Sequence, residues 1–375
     1  MTKLETLAVH AGRETDPHTG AVVPPLHLST TYARDAEGGI TGRYQYTRYA
    51  NPNRVALETC IAELEGGAGA AAFGSGMAAA HAVFQALKPG DRVVVSQDAY
   101  HGVHRLLDEV MAPWGLSVAY ADFSDGDALV AALKPGAALV WAETPSNPLL
   151  KLCDLGEVAS LAHAAGAIAV CDNTFATPIL QRPFEHGFDL VMHSATKFFG
   201  GHSDVLGGAL VVREDDDLFA RIRTVQARGG AVPAPFDCYL ILRGLATLAL
   251  RIRAQSANAL ALAEWLAEHP RIARVHYPFL ASHPQHALAR RQMAAGGGIL
   301  SFELDASPAV ALRTATRTRL FQHATSLGGV ESLIEHRAST EGPTTRTPAT
   351  LLRLAVGIEH PDDLRDDLAQ ALEHA

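Results

Sequence analysis

A lysine set among small and apolar residues is the position in this chain best suited to covalent chemistry. His193-Ser194-Ala195-Thr196-Lys197 ends an apolar run, Leu190–His193, and is followed by Phe198, Phe199 and a glycine-rich stretch from Gly200 to Gly208. A lysine at a strand end is most often a solvated surface charge. Apolar surroundings disfavour the hydrated ammonium, and each unit of lowered pKa corresponds to about 1.4 kcal/mol. A partly neutral amine is what Schiff-base chemistry requires. Ser194 and Thr196 add hydroxyls able to hold a phosphate. Asp172 closes another apolar run and precedes Asn173 and Thr174, a sequence that commonly forms only a turn. On a strand end beside that of Lys197, its carboxylate would keep a pyridine nitrogen protonated and make the ring an electron sink. The pair says more than either member. Gly74-Ser75-Gly76-Met77 is placed after a strand and at the start of a helix, where free amides and the helix dipole attract phosphate. The same stretch fits the dinucleotide pattern G-x-G-x-x-A through Ala79, with Asp98 as the later acid, so a dehydrogenase is the rival reading.

These groups need a scaffold that gathers strand ends. From about residue 66, apolar runs that read as strands are Gly69–Phe73, Arg92–Ser96, Ser117–Ala121, Ala138–Ala142, Ile168–Cys171, Leu190–His193 and Ala209–Val212. Helical stretches fall between most of them, among them Met77–Leu87, Val103–Met111 and Leu155–Ala165. Fully apolar strands alternating with helices predict a parallel sheet covered on both faces, with its chemistry at the carboxyl ends of the strands. Phe236–His269 lacks proline and is dense in Leu, Ala and Arg, which predicts one long helix or two in line between two domains. Strands at Ile299–Leu304 and Leu351–Val356 and a closing helix at Asp362–Leu372 make a smaller α/β domain. Residues 1–50, rich in Thr, Pro, Gly and Tyr, predict an extended arm that needs a surface to pack on, such as a second subunit. The expected division is an arm at 1–50, a large cofactor-binding domain at 51–250 and a C-terminal domain at 251–375.

Composition narrows the function classes. The 375 residues are 48% hydrophobic and 19% charged with a net charge of −9, which argues against nucleic acid or an anionic membrane as partner. A phosphate site must therefore be built locally. The first twenty residues hold charges and no apolar signal core, and apolar stretches elsewhere are broken by charge before the roughly 18 residues that a membrane span needs. A cytoplasmic location is expected. Four cysteines without a C-x-x-C pair read as reduced thiols, and 18 histidines without H-E-x-x-H give no expectation of a metal.

Seven motifs occur in order: Tyr46-Thr47-Arg48-Tyr49-Ala50-Asn51-Pro52, Gly74-Ser75-Gly76-Met77, Tyr100-His101-Gly102, Glu143-Thr144-Pro145-Ser146-Asn147-Pro148, Asp172-Asn173-Thr174-Phe175, Ser194-Ala195-Thr196-Lys197, and Ser326-Leu327-Gly328-Gly329-Val330-Glu331-Ser332-Leu333. Together they closely resemble the Cys/Met-metabolism enzymes that use pyridoxal 5'-phosphate (PLP): cystathionine γ-synthase, cystathionine γ-lyase, cystathionine β-lyase and methionine γ-lyase. The resemblance runs from about Leu4 to Ile358. It implies an α/β fold of the PLP-dependent transferase type I, aspartate-aminotransferase-like class, and small amino-acid substrates. It also implies a homotetramer, a dimer of dimers with active sites shared between subunits.

The resemblance also implies roles. Lys197 would carry the cofactor and shuttle protons at the substrate carbons. Asp172 would pair with the pyridine nitrogen, with Thr174 among the cofactor contacts. Tyr100 would stack on the ring and assist the leaving group, and Asn147 would touch the ring hydroxyl and the substrate. Gly76, Met77, Ser194 and Thr196 would hold the phosphate, with Tyr46 and Arg48 reaching it from a neighbouring subunit. Arg353 would clamp the substrate α-carboxylate bidentately, with Ser326 also among the substrate contacts. Taken singly, Tyr100 reads as core packing, Asn147 as a turn, Met77 as a gap-filler and Arg353 as a surface charge.

Departures fall on the far side of the pocket. Arg105 stands where γ-lyases and γ-synthases carry an arginine near the substrate's distal end, but the nearby acids are replaced by Gln45 and Thr325. One lost charged contact costs about 1.5–3 kcal/mol of discrimination. Gly102 stands where methionine γ-lyases commonly carry cysteine, and Glu335-His336-Arg337-Ala338-Ser339 replaces a Pro- and Met-rich stretch. The expected function is γ-elimination or γ-replacement on sulfur amino acids or activated homoserine, with β-elimination or methionine γ-lyase activity as alternatives. An NAD-dependent dehydrogenase using Gly74–Ala79 and a non-catalytic binding module are more distant readings, since both leave Lys197 and Asp172 without roles.

Overall fold

In the computed structural model, which describes residues 2–342 and 347–374, the apolar runs become strands whose two sides meet different helices. Among the described residues, twelve strands form two sheets, one of seven strands and one of five. The larger sheet contains β1 (Gly69–Phe73), β2 (Arg92–Ser96), β3 (Ser117–Ala121), β4 (Leu139–Glu143), β5 (Ile168–Asp172), β6 (Leu190–His193) and β7 (Gly208–Val212), in the order β1-β7-β6-β5-β4-β2-β3. Alternation along each strand sorts its side chains between two layers, as a period of two demands. Phe73, Val93, Val95, Trp141, Val170, Met192 and Leu210 pack with Val83, Phe84 and Val103 on one face. Val94, Val140 and Ala142 lie on the other, under Leu129, Leu155 and Val158. Val191 and Val211 continue that second face under Leu57, Ile61 and Ile241. Burial on both faces explains why these strands read as unbroken apolar runs.

The sheet is mostly parallel. The exception is β7, antiparallel to both β6 and β1, which corrects its expected placement among parallel strands. No helix forms between His193 and Gly208, so the chain has no crossover with which to return in parallel. The Val103–Met111 stretch, expected as one helix, is an α-helix at His101–Leu106 that widens into a π-helical turn at Leu107–Met111.

The Phe236–His269 run forms two helices, Pro235–Leu245 and Leu248–Ala267. Buried Arg251 occupies the break between them. It donates through Nη2 to Gly244 O at 2.8 Å and through Nη1 to Phe198 O at 2.8 Å, satisfying a helix-end carbonyl and gripping the segment just past Lys197. The second sheet follows with β8 (Ile272–His276), β9 (Ile299–Leu304), β10 (Gln322–His323), β11 (Leu333–His336) and β12 (Leu351–Ala355), ordered β10-β11-β12-β9-β8. The closing helix spans Pro361–Glu373. Of these strands, β8, β10 and β11 have no counterpart in the sequence expectation.

The N-terminal segment is not wholly extended. Leu4–His10 is a helix, and Ala8 and Ala11 join the core beside Leu57 and Ile61. Beyond it the segment runs over the surface with exposed Val22, Val23 and Leu28. No described helix is long and apolar enough to cross a membrane, and all four cysteines are buried and unpaired.

Candidate active site

The carboxyl ends of β1, β2, β4, β5 and β6 meet at one place because the strands run the same way, and there a cavity of about 220 Å³ opens. Lys197 reaches it from the turn after β6. Ser194 N–H donates to Thr174 Oγ1 at 2.8 Å, and Thr196 Oγ1 donates to Gly207 O at 3.1 Å, so both sides of the turn are pinned. Gly328, at φ +86°, lies against it so closely that a Cβ there would come within 2.7 Å of Phe198 N. Lys197 Nζ donates to Ser326 Oγ at 2.8 Å. Burial, and then the nearby Arg353 guanidinium, lower the Lys197 pKa from 10.5 to about 8.

A deprotonated amine rises in population with pH, so that shift is measurable in the cofactor-free protein. Trapping of Lys197 by an aldehyde reagent and borohydride, followed by mass spectrometry, is expected to reach half its maximum near pH 8, the value set by its surroundings. A midpoint near the ordinary 10.5 would contradict the burial argument.

Asp172 ends β5, the strand paired with β6. Thr174 donates to its Oδ1 twice, from the backbone at 3.0 Å and from its hydroxyl, leaving Oδ2 available. Burial pushes the Asp172 carboxyl upward, against the pull of the Thr174 bonds and nearby His193. Glu143 is its register partner across β4 and β5. Burial and then Asp172 itself push the Glu143 carboxyl well above the usual carboxylate range. Its Oε2 accepts the Tyr100 N–H at 2.6 Å, which seats Tyr100 at the cavity mouth.

The floor is built from both sheets. Arg353 on β12 donates from Nη1 to Asn147 Oδ1 at 2.9 Å and from Nη2 to Ser326 O at 2.9 Å and to Glu335 Oε2. Glu335 faces Arg353 across β11 and β12. Although burial pushes Glu335 upward, Arg353 and Arg337 together hold it below the usual carboxylate range.

Of the residues singled out by sequence, Gly76, Met77, Tyr100, Asn147, Asp172, Thr174, Ser194, Thr196, Lys197, Ser326 and Arg353 line this one cavity, as does Thr325. Arg105 does not. Its side chain is 70% exposed and paired with Glu109 at 2.9 Å, one turn further along. Tyr46 and Arg48 also lie outside the cavity of their own chain. Arg48 donates to Ala227 O at 2.8 Å and covers the ring of Tyr49. Asp98, the acid of the dinucleotide reading, is held by Lys151 at 3.0 Å and does not line the cavity. Sequence reasoning passed over Ser75, His101, Glu143, Arg337 and Thr340, all on the cavity wall. The first three sat inside quoted motifs; Arg337 was visible only as a departure.

The residues present fit PLP. Ser75 caps the Gly76–Gln85 helix by accepting the Ala78 N–H at 3.0 Å, and the first intrahelical bond is Ala79 N to Ser75 O, so the Gly76 and Met77 amides precede the ladder. A Cβ on Gly76 would lie 3.0 Å from Ser194 Oγ, so glycine lets the helix start close on that hydroxyl. An anion cradle, a primary amine of lowered pKa and a carboxylate with a spare oxygen thus share one cavity. No group of three or more potential metal ligands occurs among the described residues.

Comparison with known proteins agrees with this geometry. The family described as "Cys/Met metabolism PLP-dependent enzyme" matches residues 5–373. The cystathionine gamma-synthase of Mycobacterium tuberculosis is 48% identical over 98% of this chain and 96% of its own length. A cystathionine beta-lyase of Coxiella burnetii is 46% identical over 98% of this chain and 97% of its own. The crystal structure of cystathionine gamma synthase from Xanthomonas oryzae pv. oryzae in complex with cystathionine superposes with a TM-score of 0.96 at 43% identity, covering 100% of this chain and 98% of that one.

Proposed function

Because the chain belongs to the Cys/Met-metabolism family of PLP-dependent enzymes, we propose that it catalyses γ-replacement or γ-elimination on activated homoserine or sulfur amino acids. The observation that carries the reading is the convergence of Lys197, Asp172, the Gly76 cradle and Arg353 on one cavity. Asp172, through Oδ2, holds a proton on the ring nitrogen. Gly76, Met77, Ser194 and Thr196 hold the phosphate. When bound, PLP supplies an electron sink conjugated to the substrate amine. Arg353, oriented by Asn147, binds the substrate α-carboxylate. Lys197 Nζ, freed from Ser326, accepts a proton from the carbon beside that carboxylate and moves protons at the next carbon, which opens the path to the γ-substituent. Met192, Leu206 and Leu327 line the cavity and limit water around these transfers.

The surface-lying segment with Val22 and Leu28, and Arg48 set outside its own cavity, support a homo-oligomer in which Tyr46 and Arg48 serve a neighbour's site. Thr325, a hydroxyl where related enzymes place an acid, favours β-elimination as a second reading. Product analysis separates the two. With cystathionine, chemistry at the γ-carbon yields cysteine, 2-oxobutyrate and ammonia. Homocysteine and pyruvate would instead assign the β-carbon. With O-succinylhomoserine and cysteine, replacement yields cystathionine and succinate; no product from any of these substrates would sink the proposal.

A further inference from the structure

The segment after β11, which departs from the family pattern, puts a second arginine on the cavity wall. Arg337 is 3% exposed at its side chain yet lines the cavity with Thr340 and His101. Its partners serve it unevenly. Nη2 donates to Glu341 Oε1 at 2.6 Å, but Nη1 lies 3.2 and 3.3 Å from the two oxygens of Glu335, long for a charged pair. Glu335 is already closely engaged by Arg353, and Thr340 also bonds it. The Nε–H of Arg337 has no acceptor although it is buried. A buried, under-satisfied guanidinium stays charged and gains from any anion that arrives.

The balance of charge around it points the same way. Among the described residues, the cations lining the cavity are Lys197, Arg337 and Arg353, and its carboxylic acids are Glu143 and Asp172, neighbours across β4 and β5. Burial and the adjacent Asp172 push the Glu143 carboxyl well above the usual carboxylate range, and Asp172 serves the ring nitrogen. Thr325 lines the cavity with no charge, and Arg105 is turned outward. A substrate tail carrying an ammonium would therefore meet Arg337 with no free carboxylate beside it. We infer that Arg337 is the receptor for an anionic group on the substrate beyond its α-carboxylate, so that the activated homoserine this enzyme takes carries a carboxylate or phosphate on its leaving group. The inference rests on the γ-replacement reading but concerns a different residue and a different part of the substrate.

Two measurements on the holoenzyme test it. The first is turnover of O-succinyl-, O-phospho- and O-acetylhomoserine with cysteine. Wild-type enzyme is expected to prefer an anionic ester over the acetyl ester, and the faster of the two anionic esters identifies carboxylate or phosphate as the group recognised. Arg337→Gln is expected to lower kcat/KM for that ester by roughly 10- to 100-fold, the loss of one charge-assisted contact. The acetyl ester is expected to be nearly unaffected, and Arg337→Lys to restore part of the loss. A wild-type preference for the acetyl ester, or an equal fall for all esters, overturns the inference. The second is calorimetric binding of glutarate against valerate, which needs neither turnover nor a variant. Glutarate is expected to bind at least about tenfold more tightly, as a second charged contact predicts; equal affinities overturn the inference. If no ester is turned over but glutarate is preferred, the γ-replacement reading fails and the anion receptor stands.

Discussion

Lys197→Ala is expected to lower kcat/KM by at least about three orders of magnitude, because it removes the group that moves protons at the substrate carbons. The amine sits at the cavity wall with its pKa lowered to about 8, a value that leaves roughly a tenth of it neutral at pH 7, far more than an ordinary lysine has. A methyl group has no proton to give or accept. The fold should survive, since among the described residues Nζ bonds only Ser326 Oγ, and removing a charge that burial already disfavours costs little. Borohydride should no longer fix the cofactor to the chain, and unfolding by denaturant should be unchanged within error. A small added amine should restore part of the rate by diffusing into the space left behind. Activity within tenfold of the parent would mean that another base does the work and that the assignment of Lys197 is wrong.

Arg353→Leu has two expected effects that can be measured apart. It removes the cation that binds the α-carboxylate, so KM should rise steeply for every amino-acid substrate. It also leaves Glu335 buried with a Thr340 bond and the longer contacts to Arg337 as its partners, and strands Asn147 Oδ1 and Ser326 O. Removing one partner of a buried pair costs about 3–5 kcal/mol, because the remaining charge stays out of water. Arg353→Leu combined with Glu335→Leu removes both charges, and stability should return towards the parent value. Activity should not return with it. If the double variant regained both, Arg353 would be a scaffold for Glu335 and not a substrate contact.

These predictions depend to different degrees on what sequence patterns reveal. Lys197 and Asp172 were legible because Asp172 closes an apolar strand and Lys197 lies in the turn just past another, and a strand end in a parallel sheet is a place where loops converge. Gly76 and Met77 were legible because a glycine-rich start of a helix has one obvious electrostatic use. The antiparallel β7 was less so: its residues are as apolar as those of β6, and nothing in GALVV records its direction. Glu143 stood in a quoted motif, but its upward shift comes from burial and from Asp172 lying beside it across β4 and β5.

The arginines divide most sharply. Arg105 and Arg353 both carried expected substrate roles, and only Arg353 faces the cavity; Arg337, which carried none, faces it too. An arginine has a long flexible stem, and its direction is chosen by whichever carboxylate or carbonyl the fold brings within reach. Arg105 finds Glu109 one turn along, while Arg353 finds Glu335 across its own sheet and Asn147 in the turn after β4 of the other. By itself, then, the sequence determined the strands of the larger sheet, the glycine-rich helix start and the lysine–aspartate pair, all written in local periodicity and turn chemistry. Only the tertiary structure decided which charges meet inside the cavity, because electrostatic partners are chosen by distance in space and desolvation, neither of which a linear spacing contains.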